Sequence, residues 1–210
     1  MTEDKQSTLE RIQTAAKQEF MEKGFQCASL RNIVKTAGVT TGAFYGYYGS
    51  KEELFDALVG KHAEYILTLF DTTIDDFEKL TGEEQTRQMT EVSSSSILRM
   101  LDYIYENYDA FKLIILCAEG TKYADFVHQL VVREEESTFT YIKTLEQMGF
   151  HVEPINKKLI HIVASGMFSG IFETIVHDMP KEEAKEYVLQ LERFYTAGWE
   201  CLMGVRFGNK

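Results

Sequence analysis

Apolar side chains return at three- and four-residue spacing along almost the whole chain, the period of a helix with one buried face. Leu9, Ile12, Ala16 and Phe20 mark a first helix that ends near Gly24, a glycine placed to take the left-handed conformation beyond a last turn. Ser29 is placed to cap a short helix carrying Leu30, Ile33 and Val34. Ala37-Gly38-Val39 predicts a tight turn, and Thr40 caps a third short helix from Thr41 to about Tyr47. Gly49-Ser50 interrupts it. Ser50 and Glu53 have the S-x-x-E spacing of a capping box, so a fourth helix starts at Lys51 and runs beyond Ile66. Helical spacing then covers 84–107, 109–119, 122–148, 155–178 and 181–204. No useful length alternates with the period of a strand. The pattern therefore predicts an all-α fold.

Two short helices joined by a glycine-containing turn and backed by a third form a helix-turn-helix. Residues 1–50 are expected to be that domain. Residues 51–210 are expected to be a larger helical domain. In a helix-turn-helix the second short helix enters the DNA major groove, and the composition of "GVTTGAFYGYYGSKEEL" suits that use. Gly42 and Ala43 are small where a backbone would approach base edges. Thr40 and Thr41 offer hydroxyls at the leading end. Tyr45, Tyr47 and Lys51 are phosphate partners at the flanks, with free helix N-terminal N–H groups beside them.

Charge sharpens the picture. The 210-residue chain carries a net charge of −11, which taken whole opposes nucleic-acid binding. Residues 1–62 are neutral, with eight basic and eight acidic residues, and the remainder holds 14 basic against 25 acidic. From Lys23 to Lys51 there are four basic residues and no acid. An anion can therefore dock in that stretch.

The same residues resemble the DNA-binding domain of the tetracycline-repressor (TetR) family of transcriptional regulators. The resemblance rests on Phe20, Gly24 and Phe25, on Ser29 to Ile33, on "AGVTTGAFY" (Ala37 to Tyr45), and on "YYGSKEEL" (Tyr47 to Leu54). It implies a base contact from Arg31 and a base-facing segment of Thr40, Thr41, Gly42 and Ala43. It also implies phosphate contacts from Ser29, Tyr45, Tyr47 and Lys51. Two positions depart from the family. Tyr48 replaces the usual phenylalanine, so its hydroxyl needs a partner. Gly46 stands where a larger residue is common. The resemblance further implies a C-terminal domain that binds a small molecule and forms a dimer, and a DNA operator that is palindromic.

In the C-terminal part, "ASGMFSGIFETIV" spaces Gly166 and Gly170 four apart, and small residues let helices approach closely. Ser165, Phe168, Ser169 and Phe172 lie beside them. The last helix presents Leu191, Tyr195, Gly198, Trp199 and Leu202 at helical spacing. These residues are the expected interface of a homodimer, a four-helix bundle about a two-fold axis. The alternative is packing inside one chain. The middle helices are rich in aromatic residues, and Tyr103, Tyr108, Phe111, Tyr123, Phe126 and Phe168 are the expected lining of a small-molecule pocket.

Other chemistry finds little support. H-E-x-x-H, G-x-S-x-G, P-loop and G-x-G-x-x-G patterns are absent, and the histidines have no metal-ligand spacing. No cofactor, metal or catalytic residue is expected. Cys27, Cys117 and Cys201 are too dispersed for a disulfide framework and are expected to be reduced thiols. No uninterrupted apolar run approaches 18 residues, and the polar start has no apolar leader core, so a cytoplasmic protein without a membrane span is expected. The leading function is a DNA-binding regulator, a repressor released by a small ligand. A helical binding or adaptor protein with a vestigial helix-turn-helix, or an enzyme, remains the alternative.

Overall fold

The computed structural model describes residues 7–208, and among them the chain forms nine helices and no strand. They are α1 (Thr8–Cys27), α2 (Leu30–Thr36), α3 (Thr41–Tyr45), α4 (Lys51–Glu78), α5 (Gly82–Glu106), α6 (Tyr108–Cys117), α7 (Phe126–Gln147), α8 (Lys157–Val176) and α9 (Lys181–Met203). Two compact units result. One holds residues up to 64 together with 107–126, and the other holds 65–106 together with 127 onward.

The division expected after residue 50 therefore falls later, and the first unit is built from two separate stretches of chain. The reason is core volume. Three short helices of about 50 residues bury too little surface to close a core by themselves. Leu54, Phe55 and Val59 of α4 and Phe111, Leu113 and Ile114 of α6 complete it, each buried. Helix α6 packs along α1, which also carries α2. Phe20 and Phe25 meet Phe55 edge-on, with ring centroids 5.1 and 5.3 Å away. Each fully buried phenylalanine stabilises the unit by about 1.5–3 kcal/mol. Helix α1 opens with a capping box between Ser7 and Glu10 and is interrupted at Gly24, whose φ of 70° permits the turn expected there.

In the second unit α9 packs against α5 and α8. Gly166 and Gly170 have a direct role in that packing. A Cβ at Gly166 would stand 2.8 Å from the Tyr195 hydroxyl, and one at Gly170 would stand 2.9 Å from Leu191 Cδ2. The glycine pair thus admits α9 of the same chain, which was the alternative to an intermolecular role. Helix α9 stops at Gly204, in the left-handed conformation. The tail then turns back. Phe207 N–H donates to Glu200 Oε1 (2.7 Å) and Gly208 N–H donates to the Thr86 carbonyl (3.0 Å). Phe207 reaches the Tyr141 ring edge-on at 6.0 Å.

Helix α8 departs from the expectation about membrane spans. By length and composition alone it could cross a membrane, with a mean hydropathy of 1.6 over its best 18-residue window. Its apolar residues include Ile160, Ala164, Phe168, Ile171, Phe172 and Ile175, all buried within the second unit. A core helix meets the same test of length and composition.

Candidate nucleic-acid interface and the cavity of the second unit

Local chemistry shapes the surface of α2 and α3. The Ser29 hydroxyl accepts from the Asn32 N–H (3.4 Å) and caps α2. Gly38, at φ 64°, makes the turn. Thr40 then caps α3, its hydroxyl accepting from the Ala43 N–H at 3.1 Å. That hydroxyl keeps its own proton to donate outward. Phe44 is fully buried and anchors α3 to the core. With Phe44 inside, Thr40, Thr41, Gly42, Ala43, Tyr45 and Tyr47 are all exposed, as are Arg31 and Lys35 of α2. Tyr45 is 54 % exposed and Tyr47 47 %, and neither has a hydrogen-bond partner among the described residues.

Tyr48, the departure from the family pattern, is buried, and its hydroxyl accepts from Gln13 Nε2 at 2.8 Å. The hydroxyl that the sequence leaves in need of a partner therefore has one. Gly46 closes α3 in ordinary right-handed geometry.

Lys51 departs from its expected role. Its ammonium donates to the carbonyls of Phe25 (2.7 Å), Ala28 (3.1 Å) and Gln26 (3.4 Å) and lies 4.4 Å from the centre of the Phe25 ring. An ammonium has three protons, and three carbonyls take them. The negative end of α1 attracts the charge that was expected to meet phosphate. Arg11 does similar work at the turn, with Nη1 donating to the Ala37 carbonyl at 3.2 Å.

The helix N-termini are also less open than expected. Glu19 accepts from the Ser29 N–H (2.9 Å) and from Asn32 Nδ2 (3.3 Å). Ser50 caps α4, and Glu53 accepts from the Gly49 N–H at 2.6 Å. The acid-free stretch of sequence is thus flanked in space by two carboxylates bound to its backbone. Arg31 and Lys35 remain exposed, and no ion pair among the described residues occupies them.

The aromatic residues expected to line one pocket are dispersed. Phe111, Tyr123 and Phe126 are buried in the first unit, where Phe111 and Phe126 pack at 6.4 Å and Tyr123 donates to Asp56. Asp56 also pairs with Lys122 at 2.6 Å. Tyr108 lies beside Lys112 in α6. Tyr103 stacks on Tyr65 at 3.8 Å in the second unit. Only Phe168 lines the cavity found there, so the other five belong to packing.

That cavity has a volume of about 140 Å³ and is bounded by α4, α5, α7, α8, α9 and the tail. Its walls include Phe70, Phe77, Trp199 and Phe207, and Ser93 and Ser96 of the "SSSS" stretch give it room. Two carboxylates, Glu134 and Glu192, also line it. Glu192 is 3 % exposed, and one of its oxygens accepts from the Thr196 hydroxyl at 3.1 Å. Glu134 faces the cavity with no hydrogen bond or ion pair among the described residues. Glu134 is half-buried, and desolvation there pushes its carboxyl up to about 7.

The expected dimer residues divide as well. Phe168 and Phe172 are buried inside the chain. Ile162 and Ser169 of the same helix are exposed. Ser169 and Gly198 are exposed, whereas Ser165, Leu191, Tyr195, Trp199 and Leu202 are half-buried. Two residues outside the expected set dominate the surface: Ile162 is 64 % exposed and Phe194 72 %. Val163, Phe194, Gly198 and Leu202 share an apolar groove there.

Among the described residues no group of three or more His, Cys, Asp or Glu side chains is placed to hold a metal. Cys117 is buried, which pushes its thiol up, whereas Cys27 and Cys201 are exposed.

Comparison with known proteins agrees with the geometry of the reading unit. Residues 12–58 match the sequence profile of the bacterial regulatory proteins of the tetR family. The chain is 35 % identical over 75 residues to the HTH-type transcriptional regulator UidR of Escherichia coli (strain K12), a stretch covering 36 % of this chain and 38 % of UidR. It thus spans well under half of that relative. It is 26 % identical over 175 residues to the HTH-type transcriptional regulator SrpR of Pseudomonas putida, covering 82 % and 75 % of the two chains. The fold is similar to that of the transcriptional regulator FadR of Bacillus subtilis, solved in complex with stearoyl-CoA. There the TM-score is 0.56 at 16 % identity, over 90 % of this chain and 97 % of that one. It is also similar to the TetR family transcriptional regulator PfmR of Thermus thermophilus, with a TM-score of 0.55 at 17 % identity over 88 % and 96 %. Residues 12–58 are thus similar to the tetR family of bacterial regulatory proteins, and the fold of the whole chain is similar to solved regulators of that family.

Proposed function

We propose that this protein is a sequence-specific DNA-binding transcriptional regulator, a repressor whose grip on its operator is released by a small molecule held in the second unit. The observation that carries the reading is the exposed α2–α3 surface. It offers Arg31, Lys35, two threonine hydroxyls, two tyrosines and close backbone at Gly42, with Phe44 holding it to the core. Thr40 to Ala43 face bases, Arg31 pairs with a base edge, and Tyr45, Tyr47 and Lys35 meet phosphate. Ser29 and Lys51 support this surface from behind through their backbone contacts.

The active form in this reading is a homodimer. Ile162 of α8 and Phe194 of α9 are exposed apolar side chains, with the small residues Ser169 and Gly198 exposed on the same helices, and exposed apolar surface of this kind marks interfaces. Two readers related by a two-fold axis bind half-sites roughly 34–36 Å apart, or a multiple of that. The ligand acts by favouring the reader arrangement that does not fit DNA, through its own difference in affinity between the two states. The protein works as a binding switch in the compartment that holds the DNA.

The test is selection of bound duplexes from a random pool at moderate salt, with Arg31→Ala alongside. A palindromic motif that the variant loses supports the reading. Equal losses on selected and random DNA would remove Arg31 as a base reader. Enrichment of nothing by either protein would refute ligand-free operator binding. Light scattering at micromolar concentration should give the dimer mass, and Phe194→Asp should give the monomer.

A further inference from the structure

We propose that the cavity of the second unit takes a compact organic cation, an ammonium group attached to an apolar body of about one ring, bound between Glu134 and Glu192 and faced by the surrounding aromatic rings. This names the ligand class for the sensing role proposed above and rests on that reading for its regulatory meaning.

The charge balance of the cavity carries the proposal. Two carboxylates line it, and none of the residues lining it is lysine, arginine or histidine. Arg133, Lys157 and His161 are engaged elsewhere, and Arg193, next to Glu192, is exposed and does not line the cavity. Arg133, adjacent to Glu134, turns its Nε to Asp71 at 2.5 Å. Lys157 and His161 both approach Glu135, at 3.8 and 3.0 Å. Glu192 receives only the hydroxyl of Thr196, one turn along its own helix. Glu192 is buried and Glu134 half-buried, and carboxylates drawn out of water without a counter-charge are stabilised by a proton or by a cation.

The remaining walls suit the rest of such a ligand. Phe70, Phe168, Tyr195 and Trp199 present ring surfaces to the same space. Aromatic faces attract cations, most strongly when water is excluded. At about 140 Å³ the space is comparable to a cavity that holds a single benzene ring. An anionic ligand would bring a third negative charge to two enclosed acids. A neutral apolar ligand would leave both acids uncompensated.

Calorimetric titration of the full chain, without DNA, at about pH 8, separates these classes. The probes are benzylammonium, benzyl alcohol and benzoate, which share one ring and differ in charge. Benzylammonium should bind about tenfold or more tightly than benzyl alcohol, as a charge-assisted contact requires, and benzoate should bind weakest. Glu134→Gln and Glu192→Gln should each reduce the advantage of benzylammonium while leaving benzyl alcohol unchanged, which also shows that the cavity survives the substitution. Equal or tighter binding of the alcohol or benzoate overturns the proposal. So does a preference that survives both substitutions, and so does binding of none of the three. Because DNA is absent, cation binding without any selected operator would sink ligand-free operator binding and leave the ligand class standing.

Discussion

The two units handle charge in opposite ways. In the first, charged side chains around the reading helices meet complementary backbone. Glu19 and Glu53 accept N–H groups that precede helices, and Lys51 and Arg11 donate to carbonyls at helix ends. In the second, Glu134 and Glu192 are enclosed beside aromatic rings with no opposing cation. The difference separates a framework from a site. In the first unit Arg31 and Lys35 stay exposed with no ion pair among the described residues, whereas in the second the unpaired acids line a cavity.

Lys51→Ala should be the most damaging test of that framework. It leaves three carbonyls without their shared ammonium and should lower stability by about 2–4 kcal/mol in urea unfolding. At a temperature where the variant stays folded, its salt dependence of DNA binding should match the parent. A salt slope reduced by roughly one would return Lys51 to phosphate contact.

Glu134 probes the other side of the contrast through pH. Its carboxyl stands at about 7 in the folded chain against an ordinary 4.5. Between these values the native state keeps a proton that the unfolded chain has released. Stability therefore falls as pH rises from 4.5 through 7 and levels off above. The full loss is about 3 kcal/mol. Glu134→Gln should flatten that slope and be the more stable protein above pH 7. Parallel pH profiles for the two proteins would show the carboxylate to be well solvated.

On the outward face the effects move from stability to binding. Arg31→Ala should cost about 1–3 kcal/mol on a selected operator and relax base choice at one position per half-site. Lys35→Ala should weaken all DNA sites alike. Both should leave the unfolding midpoint within experimental error. A large stability loss in either would place that side chain in the framework. The smallest effect is expected from Tyr48→Phe, which removes the acceptor for Gln13 Nε2 and should cost about 1 kcal/mol of stability.

The same contrast explains what could be read from the chain. Ser29, Thr40 and Ser50 cap residues three positions ahead, and Gly24 and Gly38 turn the backbone where they stand. Such roles are local, so residue type and spacing reveal them. Lys51 bonds carbonyls 23 to 26 positions back, and Arg11 reaches 26 positions forward. Spacing along one helix gives no sign of either. The cavity is harder still, since Ser93, Glu134, Phe168 and Glu192 come from four different helices. Aromatic density pointed instead to Phe111, Tyr123 and Phe126. Their rings mark the place where α6 and the residues after it complete the reader's core. The acids on α7 and α9 would have been a better signal, because a helical face that carries Glu134 among apolar positions has no solvent to meet it.

Lys51 has a mechanical consequence. Its ammonium rivets the last carbonyls around the end of α1 to the first turn of α4. The three bonds converge on one nitrogen, so a single side chain makes the joint. A push on the start of α4 therefore moves α1, and with it the α2 that α1 carries. One side chain thereby ties the end of α1, and the α2 packed on it, to the start of α4.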